Sequence, residues 1–254
     1  MSFLGALVAN PTLVLQHRNI FLLSHMRANT SLFGHLIGSH PLVEGYYEMH
    51  IGYHSWKSLW RQKLRHFADH PAKPAARYMF DKVLHDGHRV DPRLLIRARS
   101  RTIMMLRSPE QSIKSLVALY RERRPDLPEA TAQGAADYYI NRLRTLADTA
   151  GMLGSQYFYL DAECLITDTE RALHALSAWL QLPTPIPTEY DTFSNTGRGD
   201  AGDHSSRLKS GKVNRSKSEY ADIDIPAALM LQAQHSYQRH RGQLLAGSAA
   251  NAAA

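Results

Sequence analysis

The residues best placed to do chemistry are Ser24 to Ser31, Ser-His-Met-Arg-Ala-Asn-Thr-Ser, between the apolar run Asn19 to Leu23 and the stretch Thr30 to Ile37, whose apolar residues recur at helical spacing. A strand, a polar loop and a helix in that order turn backbone N–H groups and the positive helix end toward an anion, and Arg27 adds a permanent charge. The loop reads as an anion cradle. It is not the nucleoside-triphosphate form, Gly-x-x-x-x-Gly-Lys-Ser/Thr, which disfavours an ATP or GTP enzyme. Of the 14 histidines, His50 and His54 make one pair at helical spacing without a third ligand nearby, so no metal site is expected.

These residues need a scaffold, and composition allows one. The chain has 254 residues, 44% hydrophobic and 21% charged, enough for a sizeable core, and one domain over residues 1–254 is expected. A net charge of +7 points to an anionic partner. The basic clusters Arg121 to Arg124 and Arg207 to Lys217 lack the interleaved aromatics that stack bases, so no nucleic-acid partner is expected. The early apolar stretch Phe3 to Ala9 stops at Asn10-Pro11, far short of a membrane span, and carries neither a basic n-region nor a cleavage site. Cys164 is the single cysteine, which excludes an intrachain disulfide. Cytoplasm is the expected location.

Alternation of element types predicts an α/β fold. After Pro41, Tyr46 to His50 is expected to begin a short extended segment, and Arg77 to Leu84 and Ile103 to Leu106 read as strands of a buried parallel sheet. Ile113, Leu116, Val117 and Tyr120 share one helical face after Pro109, and Tyr139, Ile140, Leu143 and Leu146 share another within about Glu129 to Ala150. Tyr157 to Leu160 is a further strand, and Thr167 to Glu170 has capping-box spacing ahead of a helix that closes before Pro183. Residues 183–225 read as a long loop whose basic side chains can cap a ligand. Pro226 opens a last helix through about Leu245, and residues from about 246 to 254 read as a frayed tail. Such a sheet, covered on both faces, binds ligands beyond the carboxyl ends of its strands.

Several segments resemble sulfotransferases that use 3′-phosphoadenosine-5′-phosphosulfate (PAPS), in particular bacterial and carbohydrate-type members. Arg27 to Leu32 (RANTSL) is similar to the family's 5′-phosphosulfate loop, Lys-Ser-Gly-Thr-Thr-Trp or Arg-Ser-Gly-Thr-Ser-Leu. The match implies that Arg27, Ala28, Asn29, Thr30 and Ser31 hold the phosphosulfate. Ala28-Asn29 replaces the usual Ser-Gly, and Asn is the type after Gly that best tolerates positive φ. Ile103 to Tyr120 (IMMLRSPEQSIKSLVALY) resembles the family's strand, Arg-Asp/Asn-Pro turn and serine-bearing helix, so Arg107 and Ser115 are implied to grip the 3′-phosphate. Gly202 to Val213 resembles the basic closing loop, with Arg207, Lys209 and Lys212 as nucleotide contacts, and Tyr159 to Leu182 resembles the family's late strand and helix.

For catalysis the resemblance points to Glu48, in Tyr47-Glu48-Met49-His50 after His40-Pro41, as the base for the acceptor proton. Lys82 and Arg27 are implied at the sulfuryl and bridging oxygens. His85 is the reserve base, with His50 and His54 behind it. The implied fold is a P-loop NTPase-like three-layer arrangement, a central parallel β-sheet flanked by helices. The implied reaction is in-line transfer of a sulfuryl group from PAPS, without a metal, to a hydroxyl or amine of a carbohydrate or glycolipid, leaving 3′-phosphoadenosine-5′-phosphate (PAP). A small natural product is the second acceptor class. No integral membrane segment is expected, and membrane contact only if the acceptor is a lipid. Two other readings stay open: a P-loop kinase with Asp81 or Asp161 on magnesium, and a non-enzymatic polyanion-binding module. Tyr46, Tyr47, Tyr53, Trp56 and Trp60 are either an acceptor platform or packing residues, and packing is the commoner use.

Overall fold

The computed structural model describes residues 16–194, 196, 206–215, 220 and 222–254. In chain order the elements are β1 (Arg18–Ser24), α1 (Thr30–Gly38), β2 (Val43–Glu44), α2 (Trp56–Asp69), β3 (Tyr78–Val83), α3 (Pro92–Leu95), β4 (Ser100–Leu106), α4 (Pro109–Arg123), α5 (Ala132–Leu153), β5 (Tyr157–Asp161), α6 (Cys164–Thr167), α7 (Thr169–Leu180), α8 (Ala227–Gly247) and β6 (Ala250–Ala252). Short 3-10 turns cover Pro128–Ala130 and Ser206–Ser210. The apolar stretch at Phe3 to Ala9 lies outside the described residues.

The six strands form one sheet in the order β2-β3-β1-β4-β5-β6, and every described pairing is parallel. Successive side chains of a strand point to opposite faces, and here both faces are apolar. Phe21, Leu23, Met79, Met104, Leu106 and Tyr159 pack with residues of α4, α5 and α8 in one core. Ile20, Leu22, Phe80, Ile103, Met105 and Phe158 pack with α1 and α7 in the other. The result is three layers. β1 sits at the middle, and the chain leaves it for β2 and β3 on one side, then crosses to β4 on the other. That reversal opens a crevice beyond the carboxyl ends of β3, β1 and β4, where ligands of such sheets bind.

Four expectations need correction. The extended segment expected at Tyr46 to His50 is a loop, and the strand is the two-residue β2 before it. Its amide N–H at Met49 goes to the Asp81 side chain, 3.0 Å away, instead of a ladder. This loop lies so close to α1 that a Cβ on Gly34 would stand 2.0 Å from the Tyr46 carbonyl oxygen, so only glycine fits there. The capping box at Thr167 to Glu170 does not form: Asp168 precedes α7 without capping it and pairs with Arg171. Residues 246–254 are not frayed, because α8 continues to Gly247 and β6 joins the sheet beside β5. Asp161 fixes that end by accepting from Arg241 and from the Ala254 amide at 2.8 Å. Finally, α2 was not foreseen at all. Its apolar residues Trp56, Leu59, Trp60, Leu64 and Phe67 recur at helical spacing, so the signal was present in the sequence, although the buried stripe itself also holds the polar Ser58, Gln62 and His66.

Candidate active site

The loop after β1 is built for an anion. Arg27 and Asn29 both adopt left-handed backbone angles, φ 63° and 57°, and Ala28 between them is fully buried. Residues in that region turn successive N–H groups into a concave nest, and Asn29 also stands at the start of α1, whose dipole adds positive potential. The asparagine thus supplies the conformation that the sequence asked of it. From β3, the buried Lys82 reaches the same loop and donates from Nζ to Ser31 Oγ at 3.1 Å.

Arg107 and Ser115 meet this loop. Arg27 Nε donates to Ser115 Oγ at 2.8 Å, and an Arg107 Nη1 donates to the Arg27 carbonyl at 2.9 Å. Strand β4 delivers Arg107 at its end, and Pro109 starts α4 so that Ser115 returns to the same point. Burial lowers the Arg107 pKa from its ordinary value, Glu163 opposes that effect, and the neighbouring Arg27 charge adds to it. Two guanidinium groups held together favour an anion between them. Glu163 also fixes the turn, since its Oε1 accepts from the Ser108 amide and hydroxyl at 2.9 and 2.7 Å.

Residues to which the sequence assigned no role of their own in the site hold the strand ends in place. Tyr138 of α5 donates to the Leu84 carbonyl and accepts from the Met26 amide, while Tyr139 donates to the Arg107 carbonyl at 2.6 Å. Arg142 donates to the carbonyls of Ser24 and Val83 at 2.9 and 2.7 Å and pairs with Asp86. One helix therefore ties together the ends of β1, β3 and β4. The fully buried His25 bridges β1 to β4: its Nδ1 donates to the Met26 carbonyl at 2.8 Å and its Nε2 accepts from the Arg107 amide at 3.1 Å. Those partners require the neutral ring, and burial pushes its pKa down to about 4. The available signal was Arg142 at i+4 from Tyr138 and at i+3 from Tyr139 on one helix, but Tyr139 read as packing.

On the β3 side, Glu48 is 8% exposed, and its Oε1 has no hydrogen-bond partner among the described residues. His50 Nδ1 stands 3.7 Å and His85 Nε2 4.0 Å from that oxygen, beyond direct hydrogen bonding. Burial lowers the His85 pKa, against the pull of Glu48. Asp81 positions the loop that carries Glu48 by accepting from the Met49 and Lys82 amides at 3.0 and 2.8 Å and from the Tyr53 hydroxyl at 2.5 Å. Full burial raises its pKa to about 7, and the hydrogen bonds from Tyr53 and Met49 hold that rise down.

The structure thus joins Arg27, Arg107 and Ser115, joins Lys82 to Ser31, and sets Glu48 beside His85 and His50. His54 is exposed and outside these groups. Lys209 is exposed, and Lys212 is ion-paired with Glu189 at 3.0 Å on the surface. The Arg207 side chain and Gly202 to Ser205 of the closing loop lie outside the described residues. Tyr46, Tyr47 and Tyr53 are core residues, whereas Trp56 is 56% exposed on α2. Asp81 and Asp161, the acids that a magnesium-dependent kinase would draw on, both have their oxygens taken by protein donors. Among the described residues no cluster of three His, Cys, Asp or Glu has metal-ligand geometry, and no helix is long and apolar enough to cross a membrane.

No protein-family model and no curated protein sequence matches the chain. Its likeness to known proteins is one of fold. A sulfotransferase domain from the curacin biosynthetic pathway superposes with a TM-score of 0.63 at 16% identity, over 89% of this chain and 97% of that one. A sulfotransferase domain from the Synechococcus PCC 7002 olefin synthase gives 0.51 at 16% identity, covering 88% and 96% of the two chains. A sulfotransferase from Alicyclobacillus acidocaldarius gives 0.53 at 13% identity, covering 91% and 96%. The chain has the P-loop NTPase-like three-layer fold of these domains.

Proposed function

We propose that this protein is a PAPS-dependent sulfotransferase whose donor nucleotide lies beyond the ends of β1 and β4. The observation that carries the reading is the chain of bonds from Arg107 to the Arg27 carbonyl and from Arg27 to Ser115, beside a left-handed anion loop at the switch point of a fold shared with sulfotransferase domains. The residues present fit the donor's two anionic ends. Arg27 to Ser31 and Lys82 would hold the 5′-phosphosulfate, and Arg107 with Ser115 the 3′-phosphate, a pair of requirements that a bare polyanion does not make.

The donor supplies a sulfuryl group whose sulfur is attacked by the acceptor oxygen while its bond to the phosphate oxygen breaks, the bonding electrons leaving with PAP. The chain's own residues do the rest. Glu48 Oε1, buried beside His85 and without a hydrogen-bond partner among the described residues, accepts the acceptor proton. The buried Lys82 and the half-buried Arg27 place positive charge where the departing phosphate gains negative charge. Asp81 holds the Glu48 loop against β3, and α5 clamps the strand ends so that these groups need little rearrangement.

The acceptor is taken to carry a hydroxyl, with carbohydrates and glycolipids the first class to try. The test is transfer of label from PAPS to a panel of hydroxylated acceptors in the presence of a chelator, comparing wild type with Glu48→Gln. Chelator-insensitive labelling that needs Glu48 supports the reading; labelling that needs magnesium or ignores Glu48 contradicts it.

A further inference from the structure

We propose that Tyr220 is a positioning residue of the donor site, turning the Ser115 hydroxyl so that its proton faces the 3′-phosphate of the nucleotide. This rests on the reading above that Arg107 and Ser115 hold that phosphate.

A serine hydroxyl offers one proton and two lone pairs. At Ser115 the lone pairs are taken: Arg27 Nε donates to Oγ at 2.8 Å, and the Tyr220 hydroxyl lies 2.8 Å from the same atom. A phenol is more acidic than an aliphatic alcohol, so Tyr220 is the donor of that pair. The Ser115 proton is then directed away from both. Another serine of the same helix shows the alternative. Ser112 Oγ donates to the Ser108 carbonyl at 2.8 Å, the usual back-bond of a helical serine, whereas Ser115 donates to no atom among the described residues. Its surroundings have converted a helical serine from a self-satisfied group into a donor with nothing to donate to, beside two guanidinium groups.

Tyr220 is held firmly enough for this. The Ile223 amide donates to the Tyr220 carbonyl at 3.1 Å, and Ile223 and Ile225 are buried in the core that α4 and α5 share. The phenol also lies within electrostatic reach of Arg107. Tyr220 stands 105 residues beyond Ser115 in sequence, in a stretch without periodicity, so no local pattern announces it.

The test is a double-mutant cycle read by calorimetry, with PAP as ligand, adenosine 5′-phosphate as the control lacking the 3′-phosphate, and wild type, Tyr220→Phe, Ser115→Ala and the double variant as proteins. The inference predicts that Tyr220→Phe weakens PAP binding about tenfold, the scale of one hydrogen bond to a charged group, and leaves adenosine 5′-phosphate binding within about twofold. It predicts that adding Tyr220→Phe to Ser115→Ala costs nothing further. A general loss of stability cancels in such a cycle, so a weakened fold does not imitate the result. Unchanged or tighter PAP binding in Tyr220→Phe, equal losses for both ligands, or additive losses in the double variant would overturn the role of Tyr220. Failure of the donor reading looks different: wild type itself would bind PAP no better than adenosine 5′-phosphate.

Discussion

The two sides of the crevice are built on opposite rules. On the β4 side, Arg27, Arg107, Ser115, His25 and Tyr139 bond to one another or to the strand ends, and the arrangement is a network around two cations, closed except at the Ser115 proton. On the β3 side, Asp81 is equally well bonded, but it serves to hold up Glu48, whose Oε1 is buried between two imidazoles and has no hydrogen-bond partner among the described residues. A preformed network suits a ligand that is always the same, as a donor nucleotide is. A buried carboxyl oxygen without a partner is costly in a folded protein, and under the proposed reading it stands where the acceptor proton is received.

The contrast is broken most sharply at Glu48. Glu48→Gln keeps the shape and removes the base, so turnover is expected to fall by about 10²- to 10⁴-fold while PAP affinity stays within about twofold, measured by labelled transfer and calorimetry. An equal loss in both would erase the distinction between the sides. Arg142→Ala should strike both sides together through stability. Removing its bonds to the Ser24 and Val83 carbonyls is expected to cost about 3 kcal/mol, read from urea unfolding with an unchanged slope.

The smallest expected effects are in pH, and they have opposite signs on the two sides. The folded state raises the Asp81 pKa to about 7, so it binds a proton that the unfolded chain releases near 3.8. That contribution is full below about 3.8 and is lost as pH rises through about 7. His25 behaves in the reverse sense, because its pKa falls from 6.5 to about 4 on folding: its contribution is present above 6.5 and lost as pH falls through about 4. Asp81→Asn, which imitates the protonated acid, should remove the decline of unfolding free energy between pH 5 and 7, and His25→Gln should remove the rise over the same interval. Denaturant titrations across that range separate the two, and identical slopes in both variants would contradict the assignment.

How much could be read beforehand follows the same divide. The β1 loop and the β4 turn with its helix were legible because strand, turn and helix are adjacent; Arg27 stands out within that loop, whereas Asn29, Arg107 and Ser115 were singled out only through resemblance to family motifs. What depends on distant pairing was hidden. Tyr220 reaches Ser115 from a loop, Asp81 carries its meaning only through Tyr53 and Met49, and the tail of small residues becomes β6 because Arg241 and Asp161 hold it at the sheet edge. Sequence patterns report an element's own face, and these residues matter through contacts made elsewhere.

The central claim is that the closed side holds a nucleotide bearing both a 5′- and a 3′-phosphate. Calorimetric titration of PAP against adenosine 5′-phosphate, with chelator present, tests it in wild type and Arg107→Ala. The account predicts that wild type prefers PAP and that Arg107→Ala loses about a hundredfold in PAP affinity, the penalty of removing one partner of a charge-assisted pair, with little change for the control. Equal binding of the two nucleotides, or a preference for PAP that survives without Arg107, would contradict it.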